Sequence, residues 1–570
     1  MYRDRLLALY GPDLGERTAS RLEGLLARFR PRLAGQEPGA RNGTGNDALL
    51  ITYGDTLQCD GEPPLGALRE FAARHLEERL SGIHLLPFFP YSSDYGFAVK
   101  DFLAVREDLG GWADIEALHA GFQLMFDFVL NHVSAEGEWF QGFLRGEAPY
   151  RDFFINVDPA TDLSLVTRPR TTPLLTRFDT ALGPRWVWTT FGPDQVDLDY
   201  RNPEVLLRML EVMLTYLQRG ADLLRMDAVA YLWKEVGTSC VHLPQTHQLV
   251  KLFRDVLDQV APRVEIVTET NVPQRDNLSY FGDGRDEAQM VYQFPLAPLV
   301  LDAIVRGDAG RLTAWASGLP PPTERTAFFN LLASHDGIGV VPARDLLSGA
   351  EIDSLARRVL AHGGQVSDKA NPDGSVSPYE LNTTFFDALS DPGDRAEAWT
   401  TKLDRFICSQ AIMLALAGVP GVYIHSLFGS ANDQAGYARS GWKRDLNHER
   451  LKLAELESAL SDPDSRAAQV FARYCRLLEV RRRQPAFQAR SGQRVLEAGP
   501  GIFAVARGPR EGQSVVALHN VTASPRIATI ESPAGAPAAW EDLVGGERFE
   551  RSSTLRLDPY QVLWLRGSGA

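Results

Sequence analysis

The most restrictive feature of this 570-residue sequence is a regular alternation between short apolar runs and longer amphipathic segments. Segments such as PEVLLRMLEVMLTYLQRG have the apolar spacing of a helix that buries one face. Strands that alternate with helices form parallel βα units, and eight such units close into a barrel. We therefore predict an α/β protein built on a (β/α)8 TIM barrel. The eight apolar runs are ALLITYGD, GIHLLPFF, QLMFDFVLNH, ADLLRMDAV, RVEIVTET, QMVYQF, FFNLLASHD and GVPGVYIHS.

The rest of the chain is predicted to extend this barrel, which we assign to residues 47–484. Residues 1–46 form an N-terminal helical extension that ends in a Gly- and Asn-rich linker, GQEPGARNGTGND. Two stretches interrupt the alternation, insertion B at about 133–203 and insertion B′ at about 337–391, and long connections in a compact enzyme are usually functional. Runs such as SVVALHNVT predict a C-terminal antiparallel β domain over residues 485–570.

Charge and cysteine usage limit the compartment and the partners. The formal net charge of −14 disfavours nucleic acid as a partner. The four cysteines have no metal or C-x-x-C spacing, which is typical of free thiols in a reducing compartment. The apolar stretch 407–424 is divided by Pro420, so we interpret it as a buried helix, a turn at GVPG and a buried strand. We expect a cytoplasmic protein with no membrane partner.

Polar residues stand at the ends of four of the predicted strands. In (β/α)8 barrels the catalytic groups lie at the C-terminal ends of the strands. Each residue alone has an ordinary explanation as a cap, a turn or a core residue. Their joint placement at successive strand ends instead predicts one site at the mouth of the barrel. These residues are Asn131 and His132 on the third run, Arg225 and Asp227 on the fourth, Glu269 on the fifth, and His335 and Asp336 on the seventh.

Such a set of carboxylates suits glycosyl transfer with retention of configuration. That reaction needs one ionised carboxylate to attack the anomeric carbon and one protonated carboxyl to assist the leaving oxygen. Burial or a neighbouring charge must raise the pKa of the proton donor. Arg225 precedes Asp227 by two residues, so both side chains lie on the same face of a strand. We expect Arg225 to keep Asp227 ionised and oriented.

Four stretches in this order, DFVLNH, LLRMDAV, VTET and LLASHD, resemble the conserved regions of glycoside hydrolase family 13, the α-amylase family. QVDLDYRNPEV resembles a further motif of that family. The resemblance implies a (β/α)8 barrel and a role for each strand-end residue. By that resemblance Asp227 is the nucleophile, Glu269 is the acid/base, Asp336 stabilises the transition state, and His132, Arg225 and His335 line the subsite of the transferred glucosyl ring.

Further stretches narrow the resemblance to the sucrose phosphorylase subfamily: LLPFFPYSSDYGF, KEVGTSC and HDGIGV. Members transfer a glucosyl group from a small α-glucoside to inorganic phosphate and release α-glucose 1-phosphate with retention. The resemblance places Asp94 and Phe97 in the glucose subsite, with Arg444 paired to Asp94. It places phosphate on Arg170 and Tyr379, and a planar guanidinium suits phosphate oxygens.

Two positions depart from the sucrose phosphorylases. Thr167 stands where they carry Tyr, and Glu380 stands where they carry Gln, which removes two donors and adds a charge beside the acceptor. The stretches DPATDLSLVTRPR, TETNVP and NPDGSVSPYELN look most like glucosylglycerate phosphorylases. Glycerate is anionic, so Arg168, Arg170 or Lys443 would have to offset Glu380.

Several functions remain open from the sequence alone. A phosphorylase of 2-O-α-glucosylglycerate leads, followed by phosphorolysis of sucrose or glucosylglycerol. A hydrolase or transglucosidase is a third interpretation, and a catalytically inactive barrel scaffold is a fourth, although all three carboxylates are present. Asn131 resembles a calcium ligand of some amylases, but no D-x-D-x-D loop accompanies it. We expect no metal and no cofactor.

Overall fold

The centre of the fold is a closed barrel of eight parallel strands. A computed structural model describes residues 2–35, 48–371, 374–530, 539–550 and 553–568. Each strand pairs with its neighbours in sequence, and the last strand pairs with the first. The predicted (β/α)8 barrel is confirmed, with all eight apolar runs in its wall. The strands are β1 (Leu49–Thr52), β2 (Gly82–Leu85), β3 (Gln123–Val129), β4 (Ala221–Asp227), β5 (Glu265–Thr268), β6 (Met290–Tyr292), β7 (Ala327–Leu331) and β8 (Val419–Tyr423).

Amphipathic helices surround the barrel and bury their apolar faces against it. Pro203–Gln218 shows why the sequence folds this way: Pro203 stands at the first helical position, and the Asn202 side chain accepts a hydrogen bond from the Glu204 N–H. Both features favour a helix start. The main helices are Pro64–His75, Trp112–His119, Pro203–Gln218, Pro244–Val260, Gln274–Leu278, Leu296–Arg306, Gly310–Ser317, Gly349–Ala361, Phe385–Leu389, Trp399–Ala415, Ile424–Phe428, Gln434–Ser440, Leu453–Ser461 and Arg466–Arg483.

The N-terminal extension is a helix, Tyr2–Leu33, with a kink at Gly11, whose φ of 75° lies in the left-handed region. It packs on the helices Pro203–Gln218 and Pro244–Val260. The Arg5 guanidinium forms an ion pair of 2.7 Å with Asp255 on the second of these helices. The linker predicted at residues 35–47 lies outside the described residues from position 36 onward.

Both insertions fold into small structures beside the mouth of the barrel. In insertion B, strand His132–Ser134 pairs with strand Gln195–Asp197. This pairing joins the segment after β3 to the last part of the insertion. A hairpin of Leu175–Thr180 and Gly183–Trp188 stands between them. Insertion B′ is a three-stranded antiparallel sheet of Ile338–Gly339, Gln365–Ala370 and Val376–Asn382. The domain boundaries given above remain predictions.

A separate antiparallel sheet follows the last barrel helix, as predicted for the C-terminal part. The buried residues Ile502, Leu518 and Leu563 belong to its own hydrophobic cluster. The thiol of Cys408 on helix Trp399–Ala415 contacts the Asn520 carbonyl at 3.5 Å, so the sheet lies against the barrel. The six strands are, in sheet order, Gln493–Leu496, Ile502–Arg510, Gln513–Asn520, Val562–Ser568, Ala539–Asp542 and Arg548–Glu550.

The apolar stretch 407–424 contains a buried helix and a buried strand, but the predicted turn at GVPG is wrong. The helix ends at Ala415 and β8 already begins at Val419. The turn lies before the strand because Gly418 supplies the left-handed φ of 128°, and a Cβ there would meet the Phe328 carbonyl oxygen at 2.6 Å. Within the described part of the chain, no helix is both long and apolar enough to cross a membrane.

Candidate active site

A pocket at the C-terminal mouth of the barrel is lined by twelve of the residues that the sequence predicted for the site, whereas Asn131 does not line it. Strand ends supply the carboxylates, and the two insertions and the loop after β8 supply the remaining groups. The sequence places these residues up to hundreds of positions apart, and the closed barrel brings them together. They are Asp94, Phe97, His132, Arg170, Arg225, Asp227, Glu269, His335, Asp336, Tyr379, Glu380 and Arg444.

Arg225 and Asp227 form a buried ion pair at the end of β4. Nη1 of Arg225 donates to Asp227 Oδ1 at 2.8 Å and also contacts Asp127, while Nε donates to the Tyr292 hydroxyl at 2.9 Å. Arg225 is 1% exposed, and an unpaired buried charge costs about 3–5 kcal/mol, so these partners are needed. Burial raises the pKa of Asp227, and the contact with Arg225 opposes that shift.

Asp127 and His84 are part of this network, and the sequence interpretation missed both. Asp127 on β3 is the register partner of Arg225, and its Oδ2 lies 2.8 Å from His84 Nε2 on β2. Burial alone would raise the pKa of Asp127, but Arg225 and His84 lower it below its ordinary value. A charged or titratable residue in the middle of an apolar run was the available signal, in MFDFV and in GIHLL.

Glu269 follows β5 directly and lines the same pocket as Asp227. Its Oε2 accepts a hydrogen bond of 3.1 Å from the Ala228 N–H, which a left-handed φ of 50° turns toward the pocket. Burial raises the pKa of Glu269 to about 7; Arg225 opposes this shift, while the carboxyls of Asp227 and Asp336 add to it. Glu269 therefore keeps a proton at neutral pH in a large fraction of molecules.

Arg444 joins three carboxylates on the opposite side of the pocket. Its guanidinium lies 2.8 Å from Asp336, 3.3 Å from Glu380 and 3.8 Å from Asp94. The pairing with Asp94, which the resemblance implied, is thus the longest of the three contacts. Burial alone would raise the pKa of Asp336, but Arg444 and then His335 outweigh it and lower the pKa well below its usual range.

The charge of Glu380 is offset by Arg444, which the sequence interpretation had not assigned to it. Lys443 instead donates to a backbone carbonyl at 2.7 Å, and Arg168 donates to a carbonyl of its own loop. Arg444 and Arg170 therefore line the pocket, whereas their neighbours Lys443 and Arg168 do not. Thr167 is exposed and does not line the pocket.

A flat apolar wall and a polar edge define the inner end of the pocket. The rings of Phe97 and His335 are stacked, with centroids 5.0 Å apart and planes inclined by 13°. Nε2 of Gln195 donates to Asp94 Oδ2 at 3.0 Å and lies 3.2 Å from His132 Nε2. Burial lowers the pKa of His335 to about 3, so its imidazole is neutral. Such a combination of ring faces and convergent polar groups is suited to a sugar ring.

The two insertions meet at the outer end of the pocket. The Arg170 guanidinium of insertion B lies 5.5 Å from the centroid of the Tyr379 ring of insertion B′, which is cation–π distance. The hairpin that carries Tyr379 has a bulge, because its register shifts between Ser367 and Asp368 on the paired strand. Burial raises the pKa of Tyr379, so its hydroxyl stays protonated.

Comparison with known proteins identifies the family. The alpha-amylase catalytic domain matches residues 79–308 of the chain. A glucosylglycerate phosphorylase from Allomeiothermus silvanus is 50% identical, with 97% of each chain covered. Another from Spirochaeta thermophila is 45% identical over 99% of this chain and 98% of its own. The chain belongs to the glucosylglycerate phosphorylase group of the α-amylase family. The family resemblance predicted from the motifs is confirmed.

A solved structure shows the same fold. The crystal structure of a sucrose 6F-phosphate phosphorylase from Thermoanaerobacter thermosaccharolyticum superposes with a TM-score of 0.73 and 23% identity. The alignment covers 86% of the present chain and 95% of the chain of the solved structure. At this identity the likeness supports the barrel architecture and carries no conclusion about substrate.

A buried lysine lies at the position that the α-amylase family resemblance had associated with calcium. Nζ of Lys234 contacts Asn131 Oδ1 at 2.6 Å and Asp197 Oδ2 at 2.7 Å. Asn131 also donates to Asp197 at 3.1 Å, so one ammonium joins the end of β3 to insertion B. Lys234 is the first residue of the stretch KEVGTSC, yet nothing in its spacing indicated this contact.

Several other pocket residues of this family member were not predicted from the sequence. Two of them stand close to catalytic motifs: Asn271 follows Glu269 by two residues, and Tyr231 follows Asp227 by four. The Asn271 Oδ1 is buried and has no hydrogen-bond partner among the described residues. Proximity to a strand end was the available signal. These residues are Phe191, Gln195, Ala228, Ala230, Tyr231, Thr270, Asn271, Phe294 and Gly337.

Proposed function

We propose that this protein is a retaining phosphorylase of 2-O-α-D-glucosylglycerate. It transfers the glucosyl group to inorganic phosphate and gives α-D-glucose 1-phosphate and free glycerate. The observation that carries this proposal is the combination, in one pocket, of the Asp227 and Glu269 carboxyls with the Arg170–Tyr379 pair. The identity of 50% to a glucosylglycerate phosphorylase over nearly the whole chain supports the choice of donor.

In the first step, the Asp227 carboxylate attacks the anomeric carbon while Glu269 gives its proton to the departing glycerate oxygen. The bond to glycerate breaks, and a β-glucosyl ester to Asp227 forms. The ion pair of 2.8 Å with Arg225 favours the ionised form of Asp227, whereas Glu269 has a pKa of about 7 and carries the proton. The two carboxyls thus have the opposite protonation states that the step requires.

In the second step, phosphate attacks the anomeric carbon and the ester bond to Asp227 breaks. Glu269, now ionised, takes the proton of the attacking phosphate oxygen, so the enzyme returns to its starting state. The guanidinium of Arg170 and the hydroxyl of Tyr379 would hold the phosphate oxygens. Asp336, which Arg444 keeps ionised at a distance of 2.8 Å, would bind the ring hydroxyls. Its attraction to the ring would become stronger as positive charge develops there in the transition state.

The rate of the first step is expected to fall above about pH 7. Glu269 acts there as an acid, so its loss of a proton above its pKa of about 7 removes the reactive form. We expect kcat/KM for the glucoside to fall about tenfold per pH unit on the alkaline side. This constant excludes the second step and therefore the ionisation of phosphate. With α-glucosyl fluoride, whose leaving group needs little protonation, the alkaline fall should weaken. A flat profile to pH 9 with the natural donor would contradict the assignment of Glu269.

Replacing Arg170 by alanine is expected to raise KM for phosphate by about 10- to 100-fold, the value of a charge-assisted hydrogen bond. The kcat/KM for the glucoside should change by less than about threefold, because Arg170 acts after glycerate has left. Arg177→Ala is the matched control, since Arg177 lies on the same insertion, is half-exposed and pairs with Asp179. Unchanged phosphate kinetics in Arg170→Ala would refute the phosphate site.

One experiment separates the possible functions. The protein is incubated with α-glucose 1-phosphate and, in parallel, with glycerate, glycerol, fructose or fructose 6-phosphate, and phosphate release is measured. Glycerate should give by far the fastest release. Release that is equally fast in water alone would indicate a hydrolase, and faster release with another acceptor would reassign the substrate. No release under any condition would indicate an inactive barrel.

A further inference from the structure

Arg344 and Lys369 are two cations of insertion B′ that lie outside the catalytic pocket and form no ion pair with a carboxylate of the described residues. Nη2 of Arg344 donates to Ser377 Oγ at 2.6 Å and to the Pro378 carbonyl at 3.0 Å, and its Nε is buried without a partner. Among the residues that the structure describes, neither Arg344 nor Lys369 forms an ion pair. The side chain of Lys369 also makes no hydrogen bond to any of them. Hydrogen bonds fix the Arg344 guanidinium, and within the described part of the chain neither charge has a counterion.

The two cations lie on the same face of the hairpin. Lys369 is the direct antiparallel partner of Ser377, so these two side chains point to the same side of the sheet. Arg344 reaches the hydroxyl of the same serine. Burial and then the charge of Arg344 lower the pKa of Lys369, which agrees with two like charges at short range.

This cation pair stands next to the catalytic pocket. Tyr379 follows Ser377 by two residues on the same strand and lines the pocket. The carbonyl of Tyr379 accepts from the Val340 N–H at 3.1 Å, so the strand is fixed to the sheet at this point. An anion held between Arg344 and Lys369 would thus be close to the outer end of the pocket, where Arg170 lies over Tyr379.

Two neighbouring cations without a carboxylate partner are notable in a chain of this composition. The protein has 73 acidic and 59 Lys and Arg residues, so carboxylates are abundant. Partly buried like charges without counterions are costly, and they are usual where a ligand supplies the opposite charge. The overall negative field also opposes the approach of an anionic substrate, which local cations at a pocket rim reverse.

We propose that Arg344 and Lys369 form a second anion site that holds a small oxyanion before it enters the catalytic pocket or after it leaves. Inorganic phosphate and the carboxylate of glycerate share this chemistry. The proposal rests on the proposed function, because that function makes both anions reactants. Neither Arg344 nor Lys369 takes part in the two chemical steps, and the transferred glucosyl group does not reach the proposed anion site.

The test is the variant Lys369→Gln, since this side chain makes no hydrogen bond that its loss would break. Arg344 is left unchanged because it also holds the strand of Tyr379. We expect KM for phosphate in phosphorolysis to rise about three- to fivefold at low salt, with kcat unchanged. At about 0.5 M NaCl the difference from the wild type should become smaller, because salt screens the partly exposed charge of Lys369. The control is Lys452→Gln, whose side chain is 67% exposed and pairs with Glu455.

The same variant distinguishes the two anions. A rise of KM confined to glycerate, measured in the synthetic direction, would assign the site to the carboxylate acceptor, and a rise for both would make it common. Values within twofold of the wild type for both anions at low salt would overturn the proposal. A wild-type protein without phosphate-dependent turnover would refute the proposed function instead. Equilibrium dialysis of the radiolabelled anion whose KM rises, phosphate or glycerate, then decides: Lys369→Gln must lose one class of binding site for that anion, and equal binding would overturn the anion site.

Discussion

Replacing Asp227 by alanine is expected to lower kcat by about four to six orders of magnitude while the protein remains folded. The side chain is at the end of β4, and its removal leaves no group that can form the glucosyl ester. The fold should tolerate the change because Arg225 keeps Asp127 and Tyr292 as partners. The measurements are kcat for phosphorolysis and the thermal unfolding midpoint.

Azide provides a sharper test of the same residue. In Asp227→Ala, azide can occupy the space of the missing carboxylate and attack α-glucosyl fluoride from the β face. The product should be β-glucosyl azide, formed by displacement of fluoride in a single step. The control Asp222→Ala changes the same strand near its opposite end, and this variant should keep its turnover. Substantial phosphorolysis by Asp227→Ala, without azide, would rule out Asp227 as the nucleophile.

Glu269→Gln is expected to lower phosphorolysis of the glucoside by about two to four orders of magnitude. Glutamine keeps the shape of the side chain and its acceptor oxygen for the Ala228 N–H, but it has no acidic proton to give. Formation of the glucosyl ester from α-glucosyl fluoride should be spared, because fluoride leaves without strong acid assistance. The measurement is the ratio of kcat/KM values for the two donors, compared between variant and wild type.

The configuration of the glucosyl azide that forms in the presence of azide distinguishes Glu269→Gln from Asp227→Ala. With Glu269→Gln, azide should attack the glucosyl ester from the α face and give α-glucosyl azide. Glu265→Gln is the matched control, since Glu265 begins the same strand and pairs with Arg490 at 2.7 Å, far from the strand end that carries the site. An equal loss on both donors in Glu269→Gln would contradict its role as the acid.

The fold and most of the site could be predicted because their signals are local in sequence. Each barrel strand is an apolar run, and four of the runs carry polar residues of the site at their ends. The predicted strand-end residues therefore meet as soon as the barrel closes, since parallel strands place all their C-terminal ends on one side. The predicted loop residues, such as Arg170 and Tyr379, came from the family resemblance. The turn before β8 was misplaced because glycine stands both at 418 and at 421, and only the closed barrel distinguishes them.

Contacts between distant loops could not be predicted from spacing. Arg444 and Glu380 are 64 positions apart, so no spacing rule connects them, and the pairing of Arg444 with Asp94 came only from the family resemblance. The direction of each loop side chain depends on backbone geometry that long-range packing imposes. For the same reason Lys234 was not recognised as the partner of Asn131 and Asp197.

The sequence by itself determined the barrel, the order of its strands and the residues at their ends, because hydrophobic periodicity and parallel pairing leave few alternatives. It also placed Arg225 beside Asp227, since two positions along a strand return to the same face. Only the tertiary structure decided how the charges are shared. It added Asp127 and Tyr292 as partners of Arg225, left Glu269 with a pKa of about 7, and joined Arg444 to Glu380. Protonation depends on burial and on the distance between charges, and both are properties of the folded chain.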